Sequence, residues 1–261
     1  MDIDLLIKQA KKEDELYSNN TPTKTFKEIE TQVLNSGDNE YILEFALQNF
    51  KGTDKKAFQQ KIIESKDWVY NLCFATYVKG IDVLLNQEAI LNTSCDRVWL
   101  RFAREIKGAD IKAIQDKILT TFNKHTDADI FYMLAMLDGT DTRKVQEAFL
   151  VCEKFVNWDD ETSESVMCKN DFVKYAYMFA RDVKGADVKA LEQIILKANE
   201  PQLSFKFVKE VKGADFKAHR KIIEASKDKK LVKEFKKFAI KKFFAKLLRK
   251  NKVQEDELTN N

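Results

Sequence analysis

The chain has 261 residues, of which 44% are hydrophobic and 33% charged, with only two prolines and seven glycines. That is enough apolar material for a continuous core, and too little turn-forming residue for a coil-rich or β-turn-rich fold. The net charge of +3 hides an asymmetry: residues 227–252 hold twelve Lys/Arg against two Asp/Glu, and the rest of the chain holds 33 basic against 40 acidic residues.

The first stretch, residues 1–23, reads as an N-terminal cap or arm, with Ile3, Leu5, Leu6 and Ala10 as the apolar side of a short helix. Its acidic start lacks the apolar h-region of a secretory signal. No apolar run approaches the roughly 20 residues that span a bilayer. A cytoplasmic protein is expected. Cys73, Cys95, Cys152 and Cys168 have no CxxC spacing, and read as buried free thiols.

From there one phrase recurs. Gly52, Gly80, Gly108, Gly185 and Gly213 each follow Lys and precede, by two residues, Asp54, Asp82, Asp110, Asp187 and Asp215. Gly139 with Asp141 is a degenerate copy in which Asp138 replaces the lysine. A fixed step of 28 residues over most of the array marks a helical-repeat solenoid. Each aspartate is expected to cap a helix A, where its carboxylate accepts a free first-turn N–H. Ten residues after each glycine comes an apolar residue: Ile62, Ile90, Ile118, Phe149, Ile195 and Ile223. A helix B follows, with Phe74, Phe102 and Phe179 six residues before the next glycine, and Val78, Ile106, Val183 and Val211 two before it. The glycine is expected to close helix B as a left-handed cap. Helix B before Gly139 should end differently. Projecting the phase in both directions gives about seven two-helix repeats over residues 24–240, with Leu34 as the tenth-position core residue of the first. The fold class expected is an all-α, superhelical α-solenoid of either hand.

The spacing from Gly139 to Gly185 is 18 residues too long. It predicts an acidic insert at about 157–170, whose Trp158 either docks back or binds a partner. After the last unit, Leu231, Phe235 and Phe238 form one apolar face and Ile240, Phe243, Phe244, Leu247 and Leu248 an opposite one. A break at 240–242 is therefore expected, then a basic amphipathic cap helix over 241–252 and a disordered tail over 253–261. Peripheral membrane contact by 240–250 is set aside in favour of the cap.

No catalytic constellation emerges. His219 occupies a packing position and His125 a turn, no His/Cys cluster has metal-ligand spacing, and no phosphate-binding glycine motif occurs. No enzyme activity, metal or cofactor is expected. The better lead is a stripe on the B helices at 11, 7 and 4 residues before each glycine. It holds Arg97, Arg101 and Arg104, then Lys174 and Arg181, then Lys206 and Lys209, with Lys230 and Lys237 in the last unit. Stacked, these would form a basic ladder for nucleic-acid phosphates or an acidic protein surface. Ordinary surface charge is the alternative, because Glu105, Asp182 and Glu210 directly follow the basic residues. Val69, Cys73 and Thr76 in one repeat and Ala128, Tyr132 and Ala135 in another interrupt the ladder. Together with Trp68, Tyr77 and Trp99 they suggest an apolar protein-binding patch.

The phrase Phe-Ala-x-x-Val-Lys-Gly-Ala-Asp, as in Phe179–Asp187, resembles a short helical repeat of uncharacterised proteins of low-GC bacteria and their phages. Its architecture is similar to HEAT and armadillo arrays with a shorter unit. The resemblance carries no activity. It suits a non-enzymatic protein-interaction scaffold, such as a phage or mobile-element protein that holds a host factor, and DNA or RNA binding through the ladder is the second expectation. Some HEAT-like arrays are DNA glycosylases, but no catalytic motif of theirs maps onto a residue here.

Overall fold

A computed structural model describes residues 2–17, 21–122, 127–156, 158, 162–242 and 244. Among these residues the chain forms fifteen helices and no strand. They are α1 (Ile3–Glu15), α2 (Lys24–Asn35), α3 (Asn39–Leu47), α4 (Lys55–Glu64), α5 (Trp68–Tyr77), α6 (Val83–Leu91), α7 (Asp96–Glu105) and α8 (Ile111–Thr121). There follow α9 (Ala128–Ala135), α10 (Thr142–Glu153), α11 (Ser163–Asp182), α12 (Val188–Ala198), α13 (Pro201–Glu210), α14 (Phe216–Glu224) and α15 (229–242). After the capping helix α1, the helices run as seven A/B pairs, α2/α3 through α14/α15. The all-α helical-repeat class is thus the fold of the protein.

Packing divides the chain into two compact units, Met1–Phe122 with Leu137–Thr140, and Asn123–Met136 with Asp141–Asn261. In the first, each helix contacts the next and the next but one: α3 packs on α4 and α5, and α5 on α6 and α7. That is the contact pattern of hairpins stacked in two layers. The second unit repeats it, with α9 on α10 and α11, and α12 on α13 and α14.

Local chemistry explains the corners. Asp54, Asp82, Asp110, Asp141, Asp187 and Asp215 all stand at the N-cap and accept first-turn N–H groups with their side chains. Such a cap contributes about 1 kcal/mol. The tenth-position residues from Ile62 to Ile223 are all buried, as are Val78, Ile106, Val183 and Val211. Phe58, Phe74 and Phe102 in the first unit, and Phe149, Phe179 and Phe207 in the second, are fully buried. Phe45 stacks on Phe58 with ring centroids 5.3 Å apart, and Phe149 on Phe172 at 4.6 Å.

The glycines act one step later than expected. α5, α7 and α13 end at Val78, Ile106 and Val211, which turn to extended backbone and drive their side chains into the core. The glycine then sits third in a tight turn closed, for example, by Ala109 N–H on the Ile106 carbonyl at 3.3 Å. That position needs positive φ, and Gly108 has +92°. Gly52 departs from the series. Asn49 takes the left-handed backbone there, at φ 53°, and a Cβ on Gly52 would lie 2.9 Å from Pro22 and 3.1 Å from the Phe26 ring. α9 does end differently, in helical geometry at Met136.

Four other expectations need correction. Val33, not Leu34, is the buried residue of the first repeat, because α2 starts a turn early for its core phase. Residues 163–170 of the expected insert are helix, an N-terminal extension that makes α11 20 residues long; residues 157 and 159–161 lie outside the described residues. α15 runs without a break through 240–242: Phe235 on one apolar face is buried, while Ile240 and Phe244 on the other are exposed. Residue 244 is helical too, while the rest of the 241–252 cap and the 253–261 tail lie outside the described residues, as does His125. Of the four free cysteines only Cys152 is buried; burial pushes its thiol up to about 11, whereas Cys95 and Cys168 are exposed.

One device was not foreseen. Seven residues after Gly52, Gly80, Gly139 and Gly185, and at Glu30 in the first repeat, stands a buried amide or carboxylate that reaches the N-cap aspartate of the next repeat. Gln87 accepts the Asp110 N–H at 2.7 Å and donates to its carbonyl at 3.1 Å. Gln146 does the same to Asp187 at 2.8 and 2.9 Å, and Gln59 to Asp82 at 3.2 and 2.5 Å. Glu30 and Glu192 accept the N–H groups of Asp54 and Asp215 at 2.7 and 2.6 Å. These clamps satisfy backbone groups that the helix geometry leaves open, in a place closed to water.

Candidate interaction surfaces

The basic stripe exists, but its charges are mostly engaged. On α7, Arg97, Arg101 and Arg104 are all exposed. Arg101 and Arg104 both reach Glu105, at 3.1 Å each. The Arg104 bond leads in holding the Glu105 carboxyl below its usual range, and burial opposes it. The stripe on α7 therefore carries less field than its sequence suggests.

In the second unit the structure brings Lys174, Arg181 and Lys206 together around Tyr177. They line a cleft of about 480 Å³ between α11 and α13, with Met178 and Leu203 as apolar wall. Arg181 is bound by Asp182 at 2.6 Å and lies 3.7 Å from Glu210. It also donates to the Tyr177 hydroxyl at 3.0 Å, which itself donates to Glu210. Lys206 lies over the Tyr177 ring at 4.8 Å and Lys174 over Tyr175 at 4.8 Å. Burial leads in raising the Tyr177 phenol, helped by Glu210, so the phenol stays protonated. Lys209 is exposed and is not part of this cleft. The arrangement is a local ion-pair network within one unit.

Of the residues expected in an apolar patch, Trp68, Val69 and Tyr77 on α5 are exposed and those on other helices are not. Trp68 is 39% exposed, Val69 45% and Tyr77 61%. Beyond the turn at Gly80, Leu84 is 57% and Leu85 46% exposed. Trp99, expected beside them, is buried: its indole N–H donates to the Ile90 carbonyl at 2.9 Å, and Lys117 covers the ring at 5.6 Å. Ala128 and Ala135 are buried as well, and Tyr132 donates to Asp182 at 3.0 Å. Trp158 docks back: Lys197 sits 4.4 Å over its ring, and its carbonyl accepts from Lys169 at 2.6 Å.

His219 is fully buried, at the packing position expected of it. Its Nε2 lies 3.1 Å from Glu192 Oε1, the clamp carboxylate, and its Nδ1 has no partner. Desolvation leads in pulling the imidazole below its ordinary value, against the attraction of Glu192. Sequence alone missed this pair and the amide clamps. The signal was present, since Gln59, Gln87, Gln115, Gln146 and Glu192 share one repeat position.

Among the described residues no group of three or more His, Cys, Asp or Glu is placed to hold a metal. No helix among them is long and apolar enough to cross a membrane. Comparison with protein-family models, curated proteins and solved structures finds no match for the chain.

Proposed function

We propose that the chain is a non-enzymatic scaffold that holds a protein partner on the exposed apolar surface of α5 and α6. One observation carries this reading. At repeat positions that are charged in sibling repeats, this hairpin presents apolar side chains to solvent. Tyr77 stands where α7, α11 and α13 have Glu105, Asp182 and Glu210. Val69 stands where they have Arg97, Lys174 and Gln202. Leu84 stands where α4, α8, α12 and α14 have Lys56, Lys112, Lys189 and Lys217. A scaffold that carries charged or polar residues at most of these positions elsewhere, Tyr41, Ala128 and Met136 excepted, gives up solubility here, as docking surfaces do. Exposed tryptophan and tyrosine are also the residue types that dominate binding energy at protein interfaces.

The test is site-specific photocrosslinking from position 77, with position 112 as the control on a charged sibling surface. A discrete adduct from position 77, lost on Leu85→Lys, is the expected result. Identical adduct patterns from both positions would remove the reading.

A further inference from the structure

A dense row of positive charge lies on α15, and it takes in Lys237 of the ladder's last unit. The inner face of α15 is fully employed. Leu231, Phe235 and Phe238 pack against the second unit, with Phe235 5.1 Å from Phe216 and 5.8 Å from Phe205. Lys242 closes that side, 5.2 Å over the Phe216 ring. At 100° per residue, Lys229, Lys233, Lys236 and Lys237 fall together on the opposite face, at i, i+4, i+7 and i+8. All four are exposed, as is Lys230 beside them. They line a shallow groove of about 540 Å³ that α15 forms with the end of α14, floored by Val232 and closed by Ile240.

The contrast with the ladder is in the counter-charges. Glu224 is the only carboxylate lining the groove, and Arg220 already holds it at 3.0 Å. Glu234 lies at the edge of the face, about 100° from Lys233. No carboxylate pairs with Lys229, Lys233, Lys236 or Lys237 among the described residues, whereas Arg101, Arg104 and Arg181 each have one. The lysines do nothing for the packing of α15, and they repel one another. A row of four unpaired cations about 12 Å long is an expensive surface to leave uncompensated.

We propose that this face binds the phosphate backbone of duplex nucleic acid, without reading its bases. A duplex presents about one negative charge per 1.7 Å along its axis, or about one per 3.4 Å on each strand, and four lysines over about 12 Å match the spacing of one strand as an ordinary acidic protein surface does not. Lysines act as point charges here, with no arginine fork and no aromatic platform in the groove, so contact is to phosphates and not to base edges. The concavity favours a backbone ridge over a flat bilayer. The remainder of the chain is net acidic, so association must be local and strongly screened by salt. This site is separate from the α5 surface, and the failure of either reading leaves the other standing.

The experiment is fluorescence anisotropy of a labelled random-sequence DNA duplex with the full-length protein, at two salt concentrations. Neutralising four phosphates gives a log–log slope of about −3.6, so binding should weaken about 150-fold between about 50 and about 200 mM salt. Joint replacement Lys229→Gln, Lys233→Gln, Lys236→Gln and Lys237→Gln should abolish low-salt binding, with the helical circular dichroism unchanged. The pair Lys174→Gln and Lys206→Gln should leave binding as it was. Absence of low-salt binding overturns the proposal, as does an unchanged affinity in the fourfold variant. Retention on phosphatidylserine vesicles without retention of DNA would overturn it in favour of a membrane.

Discussion

Gln59 in the first unit and Glu192 in the second occupy the same position of the repeat and do the same job with opposite chemistry. Each accepts the N–H of the next N-cap aspartate, Asp82 or Asp215. Each also meets a polar residue 27 positions on, Asn86 or His219, where other repeats bury Phe58, Ile114 or Leu191. The amide of Gln59 has a donor of its own, and spends it on the Asp82 carbonyl and on Asn86, which continues to Asn71 at 2.5 Å. A carboxylate has no donor and brings a charge. Each carboxylate clamp therefore has a private compensator. His219 serves Glu192, and Lys27, 2.5 Å from Glu30, serves that clamp and supplies the missing donor to the Gly52 carbonyl at 3.2 Å. A clamp can be a neutral amide alone or a carboxylate with a partner. A carboxylate alone would be a buried uncompensated charge.

The most damaging test of that rule is His219→Leu. It restores the apolar residue found at this position in other repeats, yet strands the Glu192 carboxylate in a site closed to water. A loss of about 3 kcal/mol is expected in urea denaturation, because an orphaned charged acceptor costs more than a neutral one. Adding Glu192→Gln to the same chain should return most of it, because the amide needs no partner. If His219→Leu alone is neutral, the pairing rule is wrong.

Smaller, but on the same axis, is Gln146→Leu. It leaves the Asp187 N–H and carbonyl without their clamp, at a cost of about 2–3 kcal/mol by thermal or urea unfolding. The carbonyl still accepts from Leu191 N–H, so the orphaned N–H carries most of the penalty. Gln146→Glu keeps size and acceptor while removing the donor, and no lysine or histidine stands at the position of His219 in the following repeat, which is Leu191 here. It should therefore be no better than leucine, whereas a purely steric role would make it harmless.

These clamps mark the boundary of what the sequence discloses. Asp54 or Asp187 as an N-cap and Ile62 or Val78 as core are local grammar: a cap acts within one turn, and a buried stripe repeats every three to four residues. Gln87 and Gln146 satisfy no local rule, since their partners lie 23 and 41 residues on. Read singly, a glutamine on a helix is surface. Only its constancy seven residues after glycine gives it away, together with its replacement by the exposed Arg220 after Gly213, where no further glycine–aspartate turn follows. The surfaces were legible to a lesser degree. Trp68 and Tyr77 are exposed as the face pattern implied, but Trp99 is not, because its neighbour Thr93 and the end of α6 offer its indole a bonded pocket. The basic ladder looked more strongly charged than it is because a sequence shows charges and hides their pairing. Glu105 and Asp182 take up Arg101, Arg104 and Arg181 at the same positions that suggested a phosphate groove.

The mildest perturbation is a change of pH, and it isolates the one titratable clamp partner. His219 is pulled below its ordinary value mainly by desolvation, with Glu192 and Asp215 the charges that oppose the fall. The unfolded chain therefore takes up a proton near pH 6.5 that the folded chain accepts only at lower pH. Between those two values the unfolded state holds more protons, so stability falls as pH drops below about 6.5 and is fully present above it. Asp182 and Asp215 are also held below their ordinary range, by the Arg181 bond and by helix N–H groups, and that stability is lost only in the more acidic carboxylate range. Urea midpoints between about pH 7.5 and 5 should thus decline in the native protein. In the double variant Glu192→Gln with His219→Asn, which transplants the Gln59–Asn86 arrangement, that decline should be gone. An equal slope in both would mean that His219 takes up its proton alike in the folded and unfolded chains, and a native stability that rises as pH falls would mean that the buried imidazole is protonated, with Glu192 holding it as an ion pair.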